Sequence, residues 1–233
     1  MPSPKKWPHW KKQNVSSIIP QTTKFPTTFS KPQPLRMIFD VKQENLCRKA
    51  RLVAGGHVVN SNMYESYSSV IQTRTICLLQ TIAVSQNLQM ITGDISNVFL
   101  QAPTRENIWT RAGKEFWERE NCVIVLDKAL YDLSTSAHQW NVTLGLEINN
   151  MGFAQCRADP DLWIKKDHNN KTYEYIATYV DDLILVMKDP KPYFEHIKKK
   201  FSIRNIEFKP KYYLGTNIKI NDKNIKVSMT KYI

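Results

Sequence analysis

An α+β domain on a mainly antiparallel sheet is the fold class this sequence predicts, and three observations predict it. Strand-like runs come in neighbouring pairs joined by short polar turns, helical stripes stand between those pairs, and the order mixes hairpins with crossovers. With 42% hydrophobic residues among 233, the chain can bury a real core.

From Met1 to about Leu35, Pro, Ser, Thr and Lys dominate without an apolar period, which predicts a disordered basic leader over residues 1–35. The folded domain is expected over 36–233. Arg36 to Val41 and Arg48 to Ala54 read as strands around the polar stretch Lys42 to Asn45, a hairpin carrying Arg48, Lys49 and Arg51. Those cations face phosphate or water. Ile71 to Asn87 reads as a helix, with Leu78, Leu79, Ile82 and Ala83 at neighbouring-turn spacing, and feeds a strand from Leu88 to Asp94. A second helix is marked by Ala137, Trp140, Leu144, Ile148 and Met151, and Gly152 is placed to end it.

Leu162 to Lys166 and Thr172 to Val180 read as strands about the turn Asp167 to Lys171. The second of them meets Leu183 to Met187 across Asp181-Asp182. Asp189 followed by Pro190 has the form of an N-cap and first-turn proline, and Phe194, Ile197 and Phe201 give the next helix an apolar face. Lys198, Lys199 and Lys200 are then solvent-facing. Tyr212 to Ile220 and Ile225 to Met229 read as a last hairpin around Asn221 to Asn224.

The net charge of +12 gives the chain an attractive potential for polyanions, nucleic acid first among them, though ribosomal, chromatin and membrane-surface proteins share that balance. Cys47, Cys77, Cys122 and Cys156 are far apart and have no His at zinc-ligand spacing, so neither a disulfide framework nor a zinc site is indicated. No apolar run is long enough to span a bilayer and none has the form of a secretory signal, so a soluble intracellular protein with no membrane partner is expected.

Asp94 at a strand end and Asp181-Asp182 in a hairpin turn form the one constellation suited to chemistry, because adjacent strands of a sheet can gather all three. Carboxylates so gathered repel each other and raise one another's pKa unless a cation intervenes, and hard oxygen ligands favour Mg²⁺. On spacing alone, solvated turn aspartates are the commoner source of such a pattern.

The wider series of motifs changes that balance. Tyr179-Val180-Asp181-Asp182 between apolar strands resembles the active-site motif of reverse transcriptases. Asp94-Ile95-Ser96-Asn97-Val98-Phe99-Leu100, Arg48 to His57, Tyr67 to Val70, Lys128-Ala129-Leu130-Tyr131 with Trp140, Ala158-Asp159-Pro160-Asp161 and Tyr213-Leu214-Gly215 resemble, in order, segments of copia-type retrotransposon polymerases. The resemblance runs from about Arg36 to Ile233.

It implies the fingers and palm of an RNA-directed DNA polymerase, a mainly antiparallel palm sheet flanked by helices, with the thumb incomplete or absent. It further implies two Mg²⁺ ions, or Mn²⁺ as a substitute, on Asp94, Asp181 and Asp182. Arg51, Lys49, Phe99 and Tyr131 are then expected at the dNTP, Phe99 as the aromatic that excludes a ribose 2′-hydroxyl. The implied partners are an RNA or DNA template with its primer, dNTPs and other domains of a Pol polyprotein. Where the family carries Leu-Tyr-Gly-Leu-Lys, this chain has Leu130-Tyr131-Asp132-Leu133-Ser134, which loses a flexible glycine and a cation. The alternative this opens is a catalytically inactive nucleic-acid-binding remnant.

Overall fold

The computed structural model describes residues 16–19, 32, 34–42, 46–55, 66–114, 120–167, 172–214, 216–221 and 224–228. The rest of the leader, the turn Lys42–Asn45 apart from its first residue, Gly56, His57, Gly215 and most of the turn Asp167–Lys171 lie outside the described residues. In chain order the first elements are β1 (Ser16–Ile19), β2 (Leu35–Lys42), β3 (Cys47–Ala54), α1 (Thr73–Ser85), β4 (Gln89–Ile95), α2 (Val98–Gln101), β5 (Trp109–Arg111) and β6 (Val123–Leu126). They are followed by α3 (Ser136–Asn150), β7 (Ala154–Gln155), β8 (Leu162–Lys166), β9 (Tyr173–Tyr179), β10 (Asp182–Met187), α4 (Lys191–Lys200), β11 (Ile203–Phe208), β12 (Tyr212–Tyr213), β13 (Thr216–Asn221) and β14 (Asn224–Ser228). Every paired strand is antiparallel. No helix among the described residues is long and apolar enough to cross a membrane.

The chain divides into two compact units, one drawn from Met1–Ser68 and Val98–Thr143, the other from Ser69–Asn97 and Leu144–Ile233. In the first, β2 and β3 pair from Leu35↔Ala54 to Lys42↔Cys47, as the sequence predicts. The base of this hairpin is anchored: the Ala54 amide donates to the Tyr131 carbonyl at 3.0 Å, and Val53 and Ala54 are buried. Its far end exposes Phe39 and Leu46. A small core of Ile108, Ile124, Leu126, Leu130 and Leu133 lies beside a three-stranded sheet ordered β1-β6-β5. Strand β1 falls inside the stretch expected to be an unpacked leader. Ser16↔Leu126 to Ile19↔Val123 pairing gives these four residues a partner that nothing in their local sequence announces.

The second unit is built on a six-stranded sheet ordered β11-β4-β10-β9-β8-β7. Side chains alternate between its faces. Met90, Ala177, Ile184 and Val186 share a core cluster with Ile76, Leu79 and Ala83 of α1 and with Tyr213 and Ile218. The other face turns Gly93 toward α4. A Cβ there would stand 2.8 Å from Cζ of Phe194 and 2.9 Å from Cγ2 of Ile203, so glycine is what lets helix and strand meet. Full burial of a side chain such as Ile184 or Phe194 contributes roughly 1.5–3 kcal/mol, and these two layers fix the sheet.

The α3 stripe holds as expected, with Trp140, Leu144 and Ile148 buried and Gly152, at φ +88°, reversing the chain after it. Pro190, at φ −78° and ψ −15°, has helical dihedrals and its carbonyl accepts from the Phe194 amide at 3.0 Å, so it stands in the first turn of α4. Two local expectations are corrected. In α1 Leu79 and Ala83 are buried and Ile82 is half-buried, but Leu78 is exposed. The last hairpin is also not continuous from Tyr212 to Ile220. Leu214, at φ +42°, breaks it into β12 and β13, which pair with each other while β13 pairs with β14.

Helix α1 is capped from a distance. Gln72 makes no side-chain capping bond, but Oδ2 of Asp159 accepts from the Gln72 amide at 3.1 Å and from the Thr75 hydroxyl at 2.5 Å. A buried carboxylate thus sits where the exposed amides and dipole of a helix start favour it. This gives the Ala158-Asp159-Pro160-Asp161 segment a physical task in holding α1 against the strands.

Candidate active site

The sheet register decides where the three aspartates meet. Strand β10 begins at Asp182, which pairs with Tyr179 across the hairpin and with Asp94 on β4. Directly opposed residues of antiparallel strands hold their Cβ atoms about 4.5–5.5 Å apart and on one face. Asp94 and Asp182 therefore continue, at its end, the row that contains Thr92 and Ile184. Asp181 lies in the two-residue turn, and its carbonyl accepts from the Ile95 amide at 2.7 Å, which ties that turn to the end of β4.

Val180, the first turn residue, has φ +55°. That is the pattern of a tight hairpin turn in which glycine is usual at this position. A β-branched residue held there costs on the order of 1–3 kcal/mol, a strain of the kind that collects at functional turns.

The electrostatics follow from this placement. The Asp182 carboxyl is pushed up to about 6, first by burial at the end of an apolar row and then by the charges of Asp181 and Asp94. Tyr213 is buried in the same cluster, and its hydroxyl, without a hydrogen-bond partner, is raised well above the usual phenol value by burial and by Asp182. Asp94 divides its two oxygens. Oδ2 accepts from Nε of Arg204 at 3.1 Å and from Nδ2 of Asn205 at 3.4 Å, while Oδ1 is buried with no hydrogen-bond partner.

A buried acceptor without a donor, facing a carboxyl whose ionisation is suppressed, fits a site for a divalent cation. The fit is one of two facing carboxylates. Among the described residues no three His, Cys, Asp or Glu side chains are gathered closely enough to hold a metal ion, although the charges of Asp181 and Asp94 both reach Asp182.

The residues expected at the nucleotide lie in the first unit. Phe99, in α2, and Tyr131 are half-buried and meet edge to face with ring centroids 4.9 Å apart. Arg51 stands on β3, partly exposed and 3.9 Å from Asp40, a loose pair. Lys49 belongs to the same strand, and its side chain lies outside the described residues.

A family model described as reverse transcriptase (RNA-dependent DNA polymerase) matches residues 21–233. The chain belongs to this reverse transcriptase family. The match begins at residue 21, before Arg36. The mostly antiparallel architecture with few helices is compatible with a reverse transcriptase domain.

Among curated proteins, the retrovirus-related Pol polyproteins from transposons RE1 and RE2 of Arabidopsis thaliana are 28% identical over 192 residues and 26% over 191. Each alignment covers 79% of this chain and 13% of the relative. The Pol polyprotein from transposon TNT 1-94 of Nicotiana tabacum is 26% identical over 167 residues, 68% of this chain and 12% of that protein. These are copia-type elements, the kind the motifs resemble. The chain spans about an eighth of the length of these relatives.

Against that family the stretch after Tyr131 has a legible physical cost. Asp132, where the motif resemblance implies a glycine, has φ +71°, a conformation in which a side chain is strained. Ser134, where it implies a lysine, has a buried hydroxyl without a partner. Beside it Thr135 donates to Oε1 of Glu106, a buried carboxylate whose Oε2 has no partner. Sequence reading passed over Arg204 and Asn205, which lie 110 and 111 positions from Asp94 along the chain, and marked Tyr213 only as part of a motif, not as a neighbour of Asp182.

Proposed function

We propose that this chain is the fingers and palm of an RNA-directed DNA polymerase from a copia-type retrotransposon, transferring nucleotides from dNTPs to a primer 3′-hydroxyl. The single observation that carries the reading is the register that sets Asp182 opposite Asp94, with Oδ1 of Asp94 buried and lacking a donor. Asp94 and Asp181, with Asp182 beside them, are the residues to hold two Mg²⁺ ions, or Mn²⁺ in their place. Bound there, the ions would supply Lewis acidity toward the attacking hydroxyl and the departing pyrophosphate.

The remaining contributions come from the chain itself. Family membership supports the first unit as fingers: Arg51 and Lys49 on the β2–β3 hairpin offer cations to a triphosphate. Phe99, braced by the Tyr131 ring, is the aromatic that rejects a 2′-hydroxyl, and Phe99→Ala is expected to admit ribonucleotides. The net charge of +12 supports backbone contact with template and primer, an attraction that weakens steeply with salt. Folding units corresponding to residues 36–233 and association with other polyprotein domains belong to the same reading.

The test is extension of a DNA primer by one nucleotide on an RNA template with Mg²⁺. The chain is expected to extend it and its Asp181→Asn variant is not. A second reading, a nucleic-acid-binding remnant without turnover, is favoured by the strained Asp132 and the unpartnered Ser134 hydroxyl. It predicts no extension by either protein, with salt-sensitive primer-template binding that persists in chelator and is unchanged by Asp181→Asn.

A further inference from the structure

Strand β11 lies at the edge of the six-stranded sheet and carries no apolar alternation, yet it supplies a cation paired with Asp94. Register puts Arg204 opposite Asp94 on one side, as Asp182 is opposite it on the other. Three strands thus hold a row of guanidinium, carboxylate and carboxylate. The alternation of a regular strand would send Asn205 to the far face. Instead the pairing slips between Arg204 and Glu207, and Asn205 has φ +52°. Its amide therefore reaches the same oxygen as Arg204, Oδ2 of Asp94. Bulges that re-aim a side chain are common beside active sites.

An exposed ion pair of this kind contributes little to stability. Its effect is geometric. Two donors on one oxygen fix the rotation of the carboxylate, leave Oδ1 buried and without a donor on the residue opposite Asp182, and offset part of the repulsion between the two acids.

We infer that Arg204, assisted by Asn205, is a positioning residue for Asp94, holding one carboxylate oxygen so that the other is presented to a divalent cation. The inference rests on the polymerase reading above. Outer partners of ligating groups affect metal affinity by about 10–100-fold, so Arg204→Met is expected to weaken Mn²⁺ binding by that factor. Arg204→Lys, which keeps a donor and the charge, is expected to retain most of the affinity, and Asn205→Ala to weaken it less than Arg204→Met.

The measurement is titration of Mn²⁺ into the full chain, free ion being read by electron paramagnetic resonance, alongside melting curves in chelator. Weaker binding in Asp94→Asn and Arg204→Met, with recovery in Arg204→Lys, establishes the role. If Asp94→Asn weakens binding while Arg204→Met and Asn205→Ala leave it unchanged or tighter, Arg204 is no positioning residue and the polymerase reading stands. If Asp94→Asn itself leaves Mn²⁺ affinity unchanged, the polymerase reading fails and this inference falls with it. Asn205→Ala keeps the outcome decisive should Arg204→Met melt early, because it removes only the longer bond.

Discussion

Replacing Asp182 by Asn is expected to stabilise the protein in chelator at neutral pH, and by an amount that depends on pH in a defined direction. The carboxyl moves from an ordinary 3.8 to about 6 on folding, chiefly through burial. Below about pH 3 the group is protonated in both states and contributes nothing; as pH rises through 4 toward 6 the unfolded chain releases its proton first, so stability is lost, and above about pH 7 the loss is complete. Two pKa units correspond to roughly 3 kcal/mol, and the partial exposure of the carboxyl reduces this to about 1–2 kcal/mol.

Asn keeps the shape and removes the charge. The advantage of Asp182→Asn over the parent should therefore grow by about 1–2 kcal/mol between about pH 4 and pH 7.5, or some 2–6 °C in melting temperature for a chain of this size. Thermal melts of both proteins in chelator measure it, and saturating Mg²⁺ should narrow the gap by binding the folded parent. A gap that is equal at both pH values, or a parent more stable at pH 7.5, refutes the reasoning that Asp182 is held against its own ionisation.

Gly93→Ala is expected to cost about 1–3 kcal/mol in urea unfolding, because the new methyl meets Phe194 and Ile203 at under 3 Å. Asp159→Ala removes the acceptor for Gln72 and Thr75 and should cost a similar amount, about 1–3 kcal/mol, with the loss of helix signal appearing first in the α1 region by hydrogen exchange. Asp132→Gly is expected to raise stability by about 1 kcal/mol, since glycine accepts φ +71° without strain; an unchanged or lower midpoint would show that Asp132 is at ease there.

Much of this arrangement is written locally. The Tyr179 to Asp182 turn is announced by apolar strands on either side, and Gly152 by the helix it ends, because turn and cap chemistry act within a few residues. The pairing of Asp94 with Asp182 required only that a strand end and a hairpin turn share a sheet. What stayed hidden depends on partners far along the chain. Ser16–Ile19 becomes a strand only against Val123–Leu126, and β11 has mostly exposed positions, so no apolar period marks either. Arg204 is 110 positions from the aspartate it holds, and Asp159 caps a helix 84 positions before it; short motifs carry no trace of such pairs.

The left-handed Val180 bears on the order in which the hairpin assembles. A glycine or asparagine turn closes early and lets its strands zip outward from it, whereas a valine held at positive φ resists closure until pairing elsewhere compels it. Strands β9 and β10 are therefore expected to associate from their apolar middles, where Ile176 meets Leu185, and the turn to be forced shut last. The aspartates would then acquire their final spacing only once the sheet around them is complete, so that a partly folded chain exposes its sheet edges before it owns a site.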